Sequence, residues 1–177
     1  MKITMKREDL QTVFDACKNF VSKEDYRPIF QTVQLNFRDG VCTACALDTH
    51  KMIIITVPYP EGDEGTMYVP IIKLPKAVFV VLSDEGSEIT FDFLNSKQVV
   101  KKHAGGFLKD PETNFPKEEP VLKIYFNPRL LRDALDSFKD EKEVEMRFIG
   151  PLKACVIHGE GKKALVLPVN PIDKTED

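Results

Sequence analysis

The sequence predicts an α+β fold of antiparallel sheets with helices on one face, built from a strand-helix-strand-strand-strand module that occurs three times. Three observations predict it. A strand pattern running into a helix signal recurs at Met5, Val69 and Phe126, a spacing of about 60 residues. Short alternating or β-branched runs follow each helix signal, separated by the turn sequences RDG, LNS, GPL and GEGKK. The 177 residues, 42% hydrophobic and 30% charged, suffice for one domain with its own core plus a smaller unit.

In chain order, KITMK alternates as a strand. Behind it, Leu10, Val13, Phe14, Cys17, Phe20 and Val21 fall on one face of a helix. Glu8 and Asp9 stand in its first turn, where the helix dipole favours acids. IFQTVQLNF, VCTACAL and MIIITV read as the strands that complete the first module. The second module opens with a strand at Thr66–Val69. Pro70 and Pro75 suit a helix start, which predicts a short helix over roughly Lys73–Leu82, although Val78 to Val81 would also suit a strand. SEITFDF and KQVVKKHAGGFL follow as strands. The third module has a strand over Leu122–Phe126, then Asn127 as N-cap and Pro128 at the first helical position. Leu130, Leu131, Ala134, Leu135 and Phe138 form that helix's apolar stripe, with Arg129, Arg132, Asp133, Asp136 and Lys139 away from it. EVEMRFI, KACVIHG and KALVLPV supply its strands.

Residues 41–52, VCTACALDTHKM, hold the chain's one C-x-x-C spacing, with Asp48 and His50 close behind. On a strand, side chains three apart face opposite ways. Cys42 and Cys45 therefore cannot converge as two ligands of a tetrahedral zinc site. A redox C-x-x-C needs a helix N-terminus, which is absent here. The pair reads as small apolar strand residues, and Asp48 as a turn former. His50, His103 and His158 fall in three different modules, and no G-x-S-x-G, P-loop or H-E-x-x-H occurs. The glycine pair in AGGF reads as a bulge. No catalytic residue, metal site or cofactor is expected.

A formal net charge of −3 argues against nucleic-acid binding through bulk charge, so such a role needs a local patch. MKITMKRED lacks the apolar segment of a secretory signal, and no apolar run is long enough to span a bilayer. A cytoplasmic location without membrane contact is the expectation, and four cysteines do not suggest a disulfide framework there.

Module order and local sequence together resemble a known family. MKITMKREDLQTVF, then RPIF, TVQLNFRDG and ACALDTHKM, resemble the opening strands and helix of the bacterial sliding clamp, the DNA polymerase III beta subunit. GTMYVPIIKLPKAV is similar to the strand-proline-helix of the second half of a clamp's first domain, and GGFLKDPETNFP to its close. FNPRLLRDALDSF and ALVLPVNP resemble a clamp's last half-domain and tail. Leu47-Asp48 departs from the family in having Thr49 after the aspartate rather than before it. A clamp subunit has three domains of two modules each. The resemblance therefore implies a DNA clamp-like fold with one complete domain at 1–116 and a half-domain with C-terminal tail at 117–177, the middle domain missing.

The resemblance further implies a processivity factor for DNA replication: a homo-oligomeric ring, helices toward the hole, that holds double-stranded DNA without reading sequence and tethers a polymerase. Two chains could complete a shared domain, giving three domains per dimer, and four chains could supply a twelve-module ring. The matching DNA-facing residues are Lys6, Arg7 and Lys18 on the first helix, Arg27 at RPIF, Lys73 and Lys76 on the second helix, and Arg129, Arg132 and Lys139 on the third. Partner peptides would dock at Leu165, Leu167, Pro168 and Val169. Against this stand two plainer readings: the charges as ordinary solvated groups, and Leu165 and Leu167 as sheet residues burying one face. The alternative to a ring is a clamp-fold interaction or regulatory module that does not encircle DNA.

Overall fold

The computed structural model describes residues 1–23, 27–103, 105–106 and 110–170. The chain divides into two compact units, residues 1–116 and 117–177. Unit 1 contains β1 (Lys2–Lys6), α1 (Arg7–Cys17), β2 (Thr32–Arg38), β3 (Val41–Leu47), β4 (Met52–Pro58), β5 (Glu61–Gly62), β6 (Gly65–Pro70), β7 (Phe79–Glu85), β8 (Glu88–Asp92) and β9 (Lys97–Lys101). Unit 2 contains α2 (Pro128–Asp136), β10 (Glu145–Arg147), β11 (Cys155–His158) and β12 (Lys163–Val166). All sheet pairings are antiparallel. The α+β reading of the sequence, with antiparallel sheets, thus holds.

Unit 1 has a five-stranded sheet in the order β5-β1-β7-β8-β9 and a four-stranded sheet in the order β4-β3-β2-β6. Each sheet therefore borrows the first strand of the other module. Alternation along each strand places Ile3 and Met5, Val33, Leu35 and Phe37, Met67 and Val69, and Val80 and Leu82 in one shared core, all fully buried. Leu10, Val13, Phe14 and Cys17 of α1 join that core at the spacing the sequence predicts. The helix stops at Cys17, short of the predicted Val21. Phe20 and Val21 reach the core's edge from the turn beyond it, where both backbone N–H groups donate to the Cys17 carbonyl.

The predicted helix over Lys73–Leu82 does not form, so among the described residues the chain has two α-helices rather than three. Residues 71–78 carry no regular structure, and β7 begins at Phe79. Two causes are legible. Pro75 falls where a helix interior would have to run. Val80 and Leu82 also alternate as a strand that buries one face against β1, and β-branched residues favour that outcome. Leu74 is buried and anchors the segment from below.

In unit 2, α2 starts as expected, with Asn127 Oδ1 accepting from the Arg129 N–H at 3.0 Å. Two expectations need correction. Leu122–Phe126 forms no paired strand, since its own sheet contains only β10, β11 and β12. Leu130 is 54% exposed and leaves the buried stripe, whereas Leu131, Ala134 and Leu135 pack half-buried around Phe138, Cys155, Ile157 and Val166. At the far end of this core, Glu141 accepts from the Glu160 N–H at 2.9 Å and pairs with Lys162 Nζ at 3.2 Å, tying down the β11–β12 turn. Gly159 is required there, because a Cβ would run into the Glu141 carboxylate and, at 2.7 Å, the Phe138 ring. In the second module, the predicted strand KQVVKKHAGGFL ends at Lys101, and Ala104 and Phe107–Lys109 lie outside the described residues.

Candidate DNA-facing and partner-binding surfaces

The C-x-x-C stretch resolves as a structural strand. VCTACAL is β3, and Cys42, Ala44 and Ala46 line the core while Cys45 is buried on the other face beside Gln34. Burial, with Cys17 close by, pushes the Cys42 thiol up to about 12, and Cys17 rises likewise to about 12. Burial raises Cys45 to about 11, with a further push from the Glu112 carboxylate. Thiols so shifted stay protonated at neutral pH and are neither nucleophiles nor ready metal ligands. Cys42→Ser combined with Cys45→Ser is expected to cost about 1–3 kcal/mol of stability and to leave binding functions intact. Stoichiometric zinc, lost in the double variant, would contradict that.

Asp48 turns the chain after β3. Its carboxylate accepts from the His50 and Lys51 N–H groups, both at 3.2 Å, and pairs with Lys51 Nζ at 3.4 Å. Desolvation works to raise its pKa, and these bonds outweigh that to hold it below the ordinary value. The Asp-Thr-His element is therefore a turn lock.

The residues predicted to face DNA are placed unequally. Arg7 is committed elsewhere: Nε donates to the Pro75 carbonyl and Nη2 to the Leu74 carbonyl, each at 3.1 Å. With Arg7 N–H to Val78 O at 2.9 Å and Gln98 Nε2 to Lys73 O at 3.2 Å, these bonds hold the 71–78 segment that replaces the predicted helix. Arg7→Met is expected to cost about 1–3 kcal/mol, from two carbonyls losing a charged donor. Chemical denaturation measures it, and an unchanged midpoint would return Arg7 to the free basic surface. Lys73 and Lys76 are exposed, but on this segment and not on a helix. Lys6 and Lys18 flank α1 rather than stand on it, Lys6 ending β1 and Lys18 following Cys17, and each has an acid beside it: Lys6 lies 3.9 Å from Glu8 and Lys18 lies 3.1 Å from Asp15. Arg27 stacks its guanidinium 5.7 Å from the Phe30 ring centre, ahead of the 3-10 turn Pro28–Gln31. Arg129, Arg132 and Lys139 are exposed on and just after α2, with Asp133 4.0 Å from Arg132. A cavity of about 1070 Å³ in unit 2 is lined by Asp140, Glu141, Glu143, Glu145 and Glu160 together with Lys142, Val144, His158 and Gly159, so acids outnumber bases there and disfavour phosphate.

At the tail, Leu165 and Leu167 are 61% and 65% exposed, so they do not bury a sheet face. Val169 is exposed as well and Pro168 half-buried. Cross-strand register sets Arg147, Val156 and Leu165 side by side on the outer face of the unit 2 sheet. Arg147 and Val156 were not singled out from sequence, and only the register of β10 against β11 and β12 brings them beside the tail. Among the described residues no group of His, Cys, Asp or Glu is arranged to hold a metal ion, and no helix is long and apolar enough to cross a membrane.

Two antiparallel sheets that exchange their first strands in unit 1, and a helix with a three-stranded antiparallel sheet in unit 2, make a DNA-clamp-like fold. The solved structures to which this chain is similar are DNA polymerase III beta sliding clamps. The sliding clamp of Bacillus subtilis matches with TM-score 0.75 at 16% identity, over 95% of this chain and 49% of that one. The beta chain of Streptococcus pneumoniae matches with TM-score 0.80 at 13% identity, over 96% and 50%. The Helicobacter pylori beta clamp, solved with a DNA ligase peptide, matches with TM-score 0.67 at 19% identity, over 94% and 51%. The chain thus spans about half the length of these clamps. No protein-family model and no curated protein matches the sequence.

Proposed function

We propose that this chain is a reduced sliding clamp: a non-enzymatic, cytoplasmic processivity factor that assembles as a homo-oligomer around duplex DNA and tethers a polymerase. The clamp fold over nearly the whole chain carries this reading. Residues 1–116 serve as a complete clamp domain and 117–177 as a half-domain. DNA is held by sequence-independent phosphate contacts, chiefly from Arg129, Arg132 and Lys139, with Lys6, Lys18, Arg27, Lys73 and Lys76 in support. Arg7 drops out of the set because two of its guanidinium N–H groups hold it on the Pro75 and Leu74 carbonyls. Peptides from the polymerase or other partners dock on Leu165, Leu167, Pro168 and Val169, the exposed apolar tail. The Helicobacter pylori beta clamp, solved bound to a DNA ligase peptide, is a precedent for a clamp fold that takes up a partner's peptide.

A second reading has one observation in its favour. The acids paired with Lys6 and Lys18 at the two ends of α1, together with the missing second helix, weaken the surface that would face DNA. A clamp-fold interaction module that does not encircle DNA would tolerate both. Retention on closed circular duplex decides between them. A ring stays on closed circles at moderate salt and slides off once the circle is linearised, whereas an interaction module shows no dependence on closure.

A further inference from the structure

In unit 1 the two modules complete each other by exchanging first strands: β1 pairs with β7 of the second module, and β6 pairs with β2 of the first. The other edge of β1 is held by its own module, through β5 just beyond β4. Unit 2 contains half of this arrangement. Residues 122–126 stand before α2 as β1 stands before α1. Their inner edge is held by their own module, since the Val169 N–H, just beyond β12, donates to the Tyr125 carbonyl at 2.8 Å. Among the described residues no strand takes the place of β7 beside 122–126, and none lies on the outer edge of β10 as β6 lies on β2.

The burial record agrees. Val33, Leu35 and Phe37 of β2 are fully buried, whereas their counterparts in the repeated V-x-φ-x-F sequence, Val144, Met146 and Phe148, are half-buried, half-buried and 44% exposed. The α1 stripe is fully buried, while Leu131, Ala134 and Leu135 of α2 are only partly so. Among the described residues, nothing in unit 2 provides the covering that the second module gives in unit 1.

We propose that two copies of this chain join through unit 2 by exchanging residues 122–126, each strand adding to the free edge of the partner's β10 and closing a domain built like unit 1. A second copy fits because it brings both missing pieces at once: a strand for β10, and a β10 edge for the strand. Unit 1 does not, because its own strands already fill both of its exchange sites. The register follows from unit 1, where the inward residue nearest the helix or segment start lies opposite the first inward valine, as Met5 opposite Val80 and Val69 opposite Val33. Phe126 then lies opposite the partner's Val144, Ile124 opposite the partner's Met146 and Leu122 opposite the partner's Phe148. All three inward pairs are apolar. On the outward side, Val121 at 105% relative exposure falls opposite the partner's Ile149, an exposed residue with no other role in the unit. This interface deepens the homo-oligomer reading above and is independent of DNA: a chain that dimerises this way without retaining circles would sink the clamp and leave the interface standing.

The test uses the full chain. Light scattering is expected to give an even multiple of the 20.1 kDa chain mass at micromolar concentration. Leu122→Lys is expected to raise the dissociation constant about 100-fold, and Leu122→Lys with Phe148→Glu to restore association by setting opposite charges across the strands. Leu122→Cys with Phe148→Cys, mildly oxidised, is expected to give a disulfide between chains, since the four native cysteines are buried. A monomer at every concentration, a Leu122→Lys variant that is folded and associates as wild type, or a double-cysteine variant without an interchain bond each overturns the proposal. Should Leu122→Lys fail to fold, the cysteine pair alone decides.

Discussion

Phe138→Ala is expected to destabilise unit 2 by about 3–5 kcal/mol and to melt residues 117–170 while residues 1–116 stay folded. Phe138 follows α2 and is 4% exposed, the one aromatic ring at the centre of a small core shared with Cys155, Ile157 and Val166. Lys162 Nζ lies 5.8 Å from the ring centre, and the ring fills the space over Gly159. Few residues surround this site, so little can collapse into the cavity. Unit 1 has a separate core and shares none of these residues. Hydrogen exchange resolved by peptide checks it: protection should vanish from α2 and β10–β12 and persist in β1–β4. Uniform loss across both units would mean that they fold as one, and unchanged protection would mean that the ring is not central.

Arg129→Gln with Arg132→Gln is expected to weaken duplex binding to the same degree for every sequence and to reduce the slope of log affinity against log salt by roughly two per chain. That follows if each side chain releases one phosphate counterion at about −0.9 per contact. Both residues are exposed on α2, away from Phe138, so folding should be unaffected. Asp133 and Asp136 share this helix face, which makes the two arginines a large part of its attraction for phosphate. A binding loss without any change in salt slope would mean that they touch bases or protein instead. An unchanged affinity would remove α2 from the DNA-facing surface.

Most of the fold was legible because its elements are locally consistent. KITMK, REDLQTVFDAC and PRLLRDALD each have one period and one face turned to a core, and VCTACAL alternates along β3 between turn signals although Cys45 is buried on its other face. The error at 73–82 arose where two local rules compete. Pro70 and Pro75 signal a helix start, but Val78, Val80 and Val81 are β-branched, and the neighbouring strand β1 settles the contest through a pairing invisible in the sequence. Leu130 was misplaced for a related reason, since a three-four spacing allows two adjacent residues onto one stripe and only packing chooses between Leu130 and Leu131. The candidate site was partly legible. Of the DNA-facing candidates that the clamp resemblance supplied, Arg129, Arg132 and Lys139 are exposed, but nothing in the sequence announces that Arg7 folds back onto the Leu74 and Pro75 carbonyls.

The claim that this chain builds a ring is tested most directly by electron microscopy of the purified protein, classified in two dimensions without imposed symmetry. The account predicts closed particles with a central hole wide enough to pass a duplex and with an even number of chains around it. Compact particles without a hole, at concentrations where the mass in solution shows complete assembly, would contradict it and leave a clamp fold that works only as an interaction module.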